Sequence, residues 1–303
     1  IGGANGAAAI AAYCKANNIH FGFYLDEGGL VSEGLVPGMK RDVALVGNAE
    51  KGYATFELTV NMKGGHSSRP PAESSLDVLV NAVKKLHDNK FETRATPSVE
   101  GFIDYVGPEM QMPLKMVFAN KWLLKPVILS QYAATEDGNA MVRTTGVTTV
   151  MNAGVKENVI PSKVSAKVNY RILPGESVSS VRERVIKIIN DRRVEISILE
   201  SYEPSETTPA DSWGFKLIQA TSAEIFPDAV VAPFLMVGST DSKRFTGLTD
   251  ETFRFFPTRM DHDALAGFHG INERIKVSYY MQTIAFYKHL MEEMQTFETG
   301  KEK

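Results

Sequence analysis

The residues best suited to chemistry are one aspartate and two histidines, each set in a short segment that contains glycine. Asp26 is followed by Glu27 and two glycines, His66 lies between two glycines and two serines, and His269 precedes a glycine. Carboxylate and imidazole groups ligate divalent cations such as zinc. An imidazole N–H can also stabilise the oxyanion that forms when a carbonyl is attacked.

Taken singly, each of these residues also has an ordinary explanation. An acid before glycines is common in an exposed turn, and a histidine in a Gly-Gly turn can be a solvated loop residue. His269 has apolar neighbours on its N-terminal side, which is typical of a partly buried structural histidine. His262 is a second histidine in this region, but its position between two aspartates indicates a solvated loop.

Further polar residues could bind an anionic substrate. Asn158 opens the segment Asn-Val-Ile-Pro, and Arg171 lies on the polar face of the strand predicted after it. A guanidinium can bind a carboxylate through two parallel hydrogen bonds. A Gly-Ser-Thr-Asp-Ser loop follows a later predicted strand and could present backbone N–H groups to a ligand, although as a pattern alone it indicates only a turn. Its candidate binding residues are Gly238, Ser239, Thr240 and Asp241.

The chain has 303 residues, of which 43% are hydrophobic, and a formal net charge of -3. This length and composition predict one or two domains with a large core. The small negative charge gives no electrostatic support for nucleic-acid or membrane binding, and no apolar run is as long as a membrane span. The single cysteine, Cys14, excludes an internal disulfide and fits a small buried side chain in an alanine-rich helix.

The N-terminal elements alternate as in the layers of an α/β domain. The sequence predicts a helix over residues 6–17 and short strands over 20–25 and 42–46. Asp26 would then end the first strand, at the edge of an open sheet where ligands bind. The two glycines after it would form a flexible turn.

From residue 51 the pattern becomes that of a smaller antiparallel domain. Alternation of apolar and polar residues predicts strands over 53–62 and 163–172, each with one polar face. The order of predicted elements is β-α-β-β-α-β, as in a ferredoxin-like sandwich. The segment 88–143 is too long for a connection within such a unit, so we expect a partly helical insertion packed on the small domain. The other predicted elements are a helix from Leu76 behind a capping box at Ser74, a strand over 147–152, a helix over 178–189 and a strand over 194–199.

After the polar segment 204–209 the α/β rhythm returns. Helices are predicted over 213–226 and 276–295, and strands over 230–237 and 253–257. We therefore predict an α/β domain made of residues 1–50 and 205–303, interrupted by an inserted domain over residues 51–204.

The motifs together, in this order along the chain, resemble those of the M20 family of zinc aminopeptidases, carboxypeptidases and aminoacylases. The matching segments are Leu-Asp-Glu-Gly-Gly, Gly-Gly-His-Ser-Ser, Asn-Val-Ile-Pro, Gly-Ser-Thr-Asp-Ser and His-Gly-Ile-Asn-Glu. Residues 160–175 and 257–276 look most like the branch of carboxypeptidase S and the N-fatty-acyl-amino-acid synthase/hydrolases. The resemblance implies a partial zinc-exopeptidase-like α/β catalytic domain with an inserted ferredoxin-like dimerisation domain. It also implies cleavage of the amide bond of a peptide or N-acyl amino acid with a free carboxylate.

The resemblance further implies a role for each candidate residue. Asp26 and His269 would each ligate one of two zinc ions per subunit. His66 would stabilise the oxyanion in the active site of a second subunit, within a homodimer. Asn158 and Arg171 would bind the substrate carboxylate, and the Gly-Ser-Thr-Asp-Ser loop would line the pocket.

This sequence has no counterpart of the family's His-x-Asp motif, bridging aspartate or Glu-Glu pair, which precede the segment that matches Ile1-Gly2-Gly3. We therefore expect an N-terminally truncated form whose metal site is incomplete and which is inactive by itself. The alternative is a non-catalytic dimerisation or binding module. The retention of all five candidate ligand and binding residues argues against gradual loss of an activity. A serine hydrolase has no support, because no Gly-x-Ser-x-Gly motif is present.

Overall fold

The computed structural model describes residue 3 and residues 5–300, with side chains through residue 295. Residues 1, 2, 4 and 301–303 of the predicted larger domain lie outside the described residues. The chain divides into two compact units. Unit 1 consists of Ile1–Glu50, Ala95–Ser130 and Glu206–Lys303, and unit 2 consists of Lys51–Arg94 and Gln131–Ser205.

The helices and strands are numbered in chain order. The helices are α1 (Ala7–Ala16), α2 (Ser75–Asp88), α3 (Pro97–Val106), α4 (Leu114–Ala119), α5 (Lys121–Ala133), α6 (Glu136–Val142), α7 (Val178–Ile189), α8 (Trp213–Ile225), α9 (His262–Gly267) and α10 (Val277–Gly300). The strands are β1 (Tyr24–Ser32), β2 (Asp42–Glu50), β3 (Gly52–Asn61), β4 (Gly65–His66), β5 (Thr145–Asn152), β6 (Val159–Ile160), β7 (Lys163–Ile172), β8 (Val194–Tyr202), β9 (Ala229–Met236) and β10 (Thr252–Met260).

Unit 1 contains a mixed four-stranded sheet in the order β1-β10-β2-β9. The pairs β1–β10 and β2–β9 are parallel, whereas β2 is antiparallel to β10 and to the end of β1. Aromatic rings fill much of the core beside this sheet, where Phe215 of α8, Phe253 and Phe255 of β10 and Phe286 of α10 are fully buried. Cys14 is a buried free cysteine on α1, as its context predicted.

The first strand differs from its prediction. β1 begins at Tyr24 and continues through both glycines to Ser32, so Asp26 lies inside the strand and does not end it. The pairing with β10 shifts between Asp26 and Gly29, which marks a bulge. A Cβ on Gly29 would lie 1.8 Å from the Leu45 carbonyl oxygen. The glycines therefore allow close approach of two backbones in a sheet and do not form the expected flexible turn.

Unit 2 contains a four-stranded sheet in the order β5-β7-β3-β8, with every adjacent pair antiparallel. Strands β3 and β7 pair over ten consecutive positions without a shift, from Gly52 opposite Ile172 to Asn61 opposite Lys163. Alternate residues of these strands are buried with α2 and α7 in one apolar core. The β-α-β-β-α-β order and the capping box at Ser74 are as predicted. The α/β fold class with a ferredoxin-like inserted sheet is thus confirmed.

The segment predicted to pack on the small domain differs from the structure. Residues 95–130 lie in unit 1, where a Cβ on Gly101 of α3 would come within 2.9 Å of Pro233 on β9. The physical reason is that α3 has an apolar face, which is buried by packing against β9, the outer strand of the unit 1 sheet. The buried residues of this face are Val99, Phe102, Ile103 and Val106.

Candidate functional site

Two predicted site residues of unit 2 lie at a pair of very short strands, with His66 on β4 and Asn158 directly before β6. β4 pairs with β6 so that His66 lies opposite Val159, and the Ser67 N–H donates to the carbonyl oxygen of Asn158 at 3.0 Å. The His66 side chain is exposed. Asn158 is half-buried, and its Oδ1 is buried without a hydrogen-bond partner among the described residues. The structure therefore brings together two main-chain segments that the sequence separates widely, one carrying His66 and the other Asn158.

The His66 ring has a defined orientation. The backbone N–H of Ser68 donates to His66 Nδ1 at 3.1 Å, and Ser68 Oγ lies 2.8 Å from the same nitrogen. A backbone amide can only donate, so Nδ1 is the acceptor. The neutral ring consequently carries its proton on Nε2 and can donate a hydrogen bond from that nitrogen. This is the tautomer that an oxyanion would require.

Arg171 lies on the face of the unit 2 sheet opposite the core. Its neighbours across the sheet are Tyr53 on β3 and Thr145 on β5. The guanidinium carbon lies 5.0 Å from the centre of the Tyr53 ring, a distance at which a cation is attracted to the ring face. Arg171 Nη1 is buried without a hydrogen-bond partner among the described residues. One nitrogen of the Arg171 guanidinium thus has no hydrogen-bond partner in the described part of the chain.

Sequence reasoning missed Lys51, whose side chain is almost fully buried at the start of β3. Its Nζ donates to the carbonyl oxygens of Ala140 and Arg143, each at 2.8 Å. Burial, and secondarily the positive charge of Arg171, lowers the Lys51 pKa to about 7, while Glu176 opposes that shift. A lysine at a strand start is normally solvated, so its residue type gave no signal of this environment.

The Gly-Ser-Thr-Asp-Ser loop of unit 1 does bind a carboxylate, but the carboxylate belongs to Glu50. The Thr240 N–H lies 3.2 Å from Glu50 Oε2, and Thr240 Oγ1 donates to the same oxygen at 2.7 Å. Arg254 Nε also reaches Glu50 Oε2 at 3.2 Å and Ser242 Oγ at 3.0 Å. The Thr240 donors are thus directed at a protein carboxylate, and the part of Thr240 in substrate binding stays a prediction.

The remaining members of that loop have other positions. Ser239 is exposed, and Lys243 Nζ donates to its hydroxyl at 2.5 Å. Gly238 and Asp241 are half-buried. Their part in substrate binding stays a prediction. The buried Glu50 and Arg254 themselves were missed, since neither lies in a segment whose spacing indicates a site.

Asp26 lies opposite Arg254 in the β1–β10 pairing. Its Oδ1 accepts a hydrogen bond from the Glu27 N–H at 2.9 Å, whereas Oδ2 is buried without a partner among the described residues. Burial, followed by the charges of Asp26 and Asp241, raises the pKa of Tyr24 to about 12. Asp26 and Asp241 thus place negative charge near Tyr24, the positive charge of Arg254 opposes their effect on its pKa, and Asp26 Oδ2 has no partner among the described residues.

His269, the second predicted metal ligand, is exposed. Its backbone has a φ of 57°, and its ring centre lies 4.2 Å from that of Phe268. Nowhere in residue 3 or residues 5–300 do three or more His, Cys, Asp or Glu side chains form a group that could hold a metal ion. Zinc sites need three or four protein ligands or their equivalents. Asp26 fits the chemistry of one ligand, but the described residues do not form a complete metal site.

None of the described helices is long and apolar enough to cross a membrane.

Comparisons with known proteins match the inserted region and then nearly the whole chain. Residues 48–196 match the M20 family of peptidase dimerisation domains. The chain is 38% identical over 300 residues to a probable carboxypeptidase S-like 2 protein of Dictyostelium discoideum, covering 98% of this chain and 58% of that protein. It is 37% identical over 298 residues to the N-fatty-acyl-amino acid synthase/hydrolase PM20D1 of Xenopus tropicalis, with the same two coverages.

Among solved structures, an M20 family metallo-carboxypeptidase from Sulfolobus solfataricus superposes with a TM-score of 0.63. The alignment covers 96% of this chain and 67% of that one, with 18% sequence identity. At this identity the match shows a shared fold. The chain spans 58% of the length of the two relatives just described.

Proposed function

We propose that this chain is part of an amide hydrolase. The premise is that it carries an M20 peptidase dimerisation domain and is homologous to carboxypeptidase S-like proteins and PM20D1. The substrate class is a peptide or an N-acyl amino acid with a free carboxylate. The relatives support this class, because a carboxypeptidase and an N-acyl-amino-acid hydrolase both act on an amide next to such a group.

The observation that carries the proposal is the guanidinium of Arg171. It lies within the matched domain, contacts the Tyr53 ring and has a buried Nη1 without a hydrogen-bond partner among the described residues. Leaving such a group unpaired costs free energy, and a carboxylate oxygen from a substrate would satisfy it. Asn158 would contribute through its side-chain NH2 group, and His66 would donate from Nε2 to the oxyanion of the attacked carbonyl.

A metal, zinc in our proposal, would act in the whole protein as a Lewis acid and would activate water. Asp26 and His269 would contribute one ligand each, which is fewer than a zinc site needs. We assign no catalytic step to the metal from these residues. Zinc titration of the 303-residue chain should therefore show no pair of tight sites, and two such sites would contradict this assignment.

The matched domain is described as a dimerisation domain, and we propose that two copies of this chain associate through unit 2. A light-scattering mass equal to one chain at micromolar concentrations would contradict this. A second candidate function is a binding module without catalysis, which would use the region that matches a dimerisation domain.

Hydrolysis and binding measurements separate the two candidates. An N-acyl amino acid and its carboxamide differ only in the carboxylate that Arg171 would bind. In the full-length enzyme we expect the acid to be hydrolysed with at least about tenfold higher kcat/KM, since a charged hydrogen bond is worth about 1.5–3 kcal/mol. Arg171→Lys should reduce that preference, because a point charge cannot replace a planar fork.

Arg192→Lys is the matched control, because Arg192 is an exposed arginine of the same unit and should leave the preference unchanged. Equal rates on the acid and the carboxamide would remove the carboxylate-binding role. Binding of the acid without hydrolysis by the full-length protein would favour the non-catalytic module.

A further inference from the structure

We infer that the Arg143 side chain supplies a second guanidinium to the carboxylate-binding site around Arg171, and that Lys51 holds the main chain of Arg143 in place. The inference rests on the proposed function and deepens it by adding a specificity residue that no sequence motif indicates. The ligand class is the carboxylate of an N-acyl amino acid or of a peptide C-terminus.

The backbone places three basic residues on one face of the unit 2 sheet. Thr145 lies opposite Arg171, and Arg143 comes two residues before Thr145 in an extended conformation, with φ -151° and ψ 160°. Residues two apart on an extended strand share a face. Lys51 is likewise two residues before Tyr53, which lies opposite Arg171 on the other side. All three side chains therefore originate on the face that does not carry the helices.

Lys51 fixes the main chain of Arg143. Its Nζ binds the Arg143 carbonyl oxygen and the Ala140 carbonyl oxygen, both at 2.8 Å. These carbonyls lie in and just after the final turn of α6, where backbone oxygens lack helical partners. A lysine with almost no solvent exposure thus ties the residue that precedes β5 to the start of β3.

Both arginines keep buried donors that nothing in the described residues satisfies. Arg143 Nε and Arg171 Nη1 are each buried without a hydrogen-bond partner in the described part of the chain. Buried unpaired polar groups are uncommon, because each loses its hydration without compensation. A single carboxylate has two oxygens and several lone pairs, so it can accept from two guanidinium groups at once.

The local charge also favours an anion. The nearby acid is Glu176, and its contacts are the Thr144 hydroxyl and Arg94, whose Nε lies 3.9 Å from the Glu176 carboxylate. Arg94 in turn donates to the Pro174 carbonyl oxygen at 2.6 Å. The Glu176 carboxylate is therefore already in contact with Thr144 and Arg94. It is one negative charge near two guanidinium groups, those of Arg143 and Arg171.

The test uses binding, which does not depend on catalysis or metal. Titration calorimetry of the 303-residue chain would compare an N-acyl amino acid with its carboxamide. We expect Arg143→Gln to weaken binding of the acid by about tenfold or more, the scale of one charged hydrogen bond, and to leave binding of the carboxamide unchanged. Arg171→Gln should behave in the same way, and Arg192→Gln, an exposed control, should match the unmodified chain.

The possible outcomes distinguish the two proposals. If Arg143→Gln binds the acid as tightly as Arg192→Gln does, while Arg171→Gln loses it, the role of Arg143 is wrong and the proposed function stands. If the unmodified chain does not bind the acid more tightly than the carboxamide, the proposed function fails and the role of Arg143 falls with it. Circular dichroism melts of each variant establish that a lost affinity is not a lost fold.

Discussion

The buried Glu50–Arg254 cluster of unit 1 and the Arg143–Arg171 cluster of unit 2 are arranged in opposite ways. In unit 1, the Glu50 carboxylate accepts from Thr240 and Arg254, and all three side chains lie in the core. In unit 2, Arg143 and Arg171 each retain a buried nitrogen without a partner among the described residues. A buried ion pair whose partners are both protein groups maintains the fold, whereas unpaired buried donors are typical of a site that a ligand completes.

The buried ion pair of unit 1 is removed most directly by a substitution at Arg254. Arg254→Met would leave the Glu50 carboxylate buried without its counter-charge, and we expect a loss of about 3–5 kcal/mol in the free energy of unfolding. Both tryptophans, Trp122 and Trp213, lie in unit 1, so tryptophan fluorescence in urea reports on this unit.

Arg171→Met is the matched change in unit 2, followed by circular dichroism in urea. It removes a contact with the Tyr53 ring and a buried N–H without a partner among the described residues, whose effects on stability oppose each other, so the loss should be smaller than in Arg254→Met. Equal losses of unfolding free energy in Arg254→Met and Arg171→Met would show that the paired and the unpaired arginine contribute equally to stability.

The second prediction concerns His66, which is exposed and should matter to chemistry alone. In the full-length enzyme His66→Ala should lower kcat by about 10²-fold, the scale for loss of one oxyanion donor, with the melting temperature and zinc content unchanged. His87→Ala is the control, because His87 is an exposed histidine of the same unit. Full activity in His66→Ala would exclude the ring from the mechanism.

The third prediction is a pH dependence of stability at Lys51. Its pKa falls from 10.5 to about 7 on folding, so between these values the unfolded chain binds more protons than the folded one. Stability therefore rises with pH from about 7 to 10.5, and the cost of burying the charged amine is fully present below about pH 7. A neutral amine has two hydrogens, which matches the two carbonyl acceptors.

Urea titrations at several pH values check this slope. The stability of the unmodified chain relative to Lys51→Met should increase with pH across that window. Lys156→Met removes an exposed lysine and should show no such trend. A flat difference for Lys51→Met would mean that Lys51 stays charged in the folded protein.

The sequence predicted unit 2 better than unit 1 because its signals are local. The alternation around Phe56 and the capping box at Ser74 report directly on which residues face the core. β1 was predicted with the wrong limits, since glycines usually end strands. Here Gly29 is required by the closeness of the Leu45 carbonyl, which is remote in sequence.

The residues of the candidate site also differ in whether a local sequence pattern marks them. His66, Asn158 and Arg171 could be selected because motifs and strand alternation mark them. Lys51 and Arg254 could not, because a lysine or an arginine is buried only when distant residues supply its partners. The bonds from Lys51 to residues 140 and 143 and from Arg254 to Glu50 cross long stretches of sequence that no local pattern connects.

The strand order of unit 1 has a consequence for biosynthesis. β1 and β2 find their parallel partners in β10 and β9, which both follow the last strand of unit 2 in the chain. All strands of the unit 2 sheet therefore leave the ribosome before β9 and β10 do. Among the described strands, β1 and β2 share a short antiparallel contact near Val31 and Ala44 before β9 and β10 emerge, and a strand edge that is unpaired during synthesis favours aggregation.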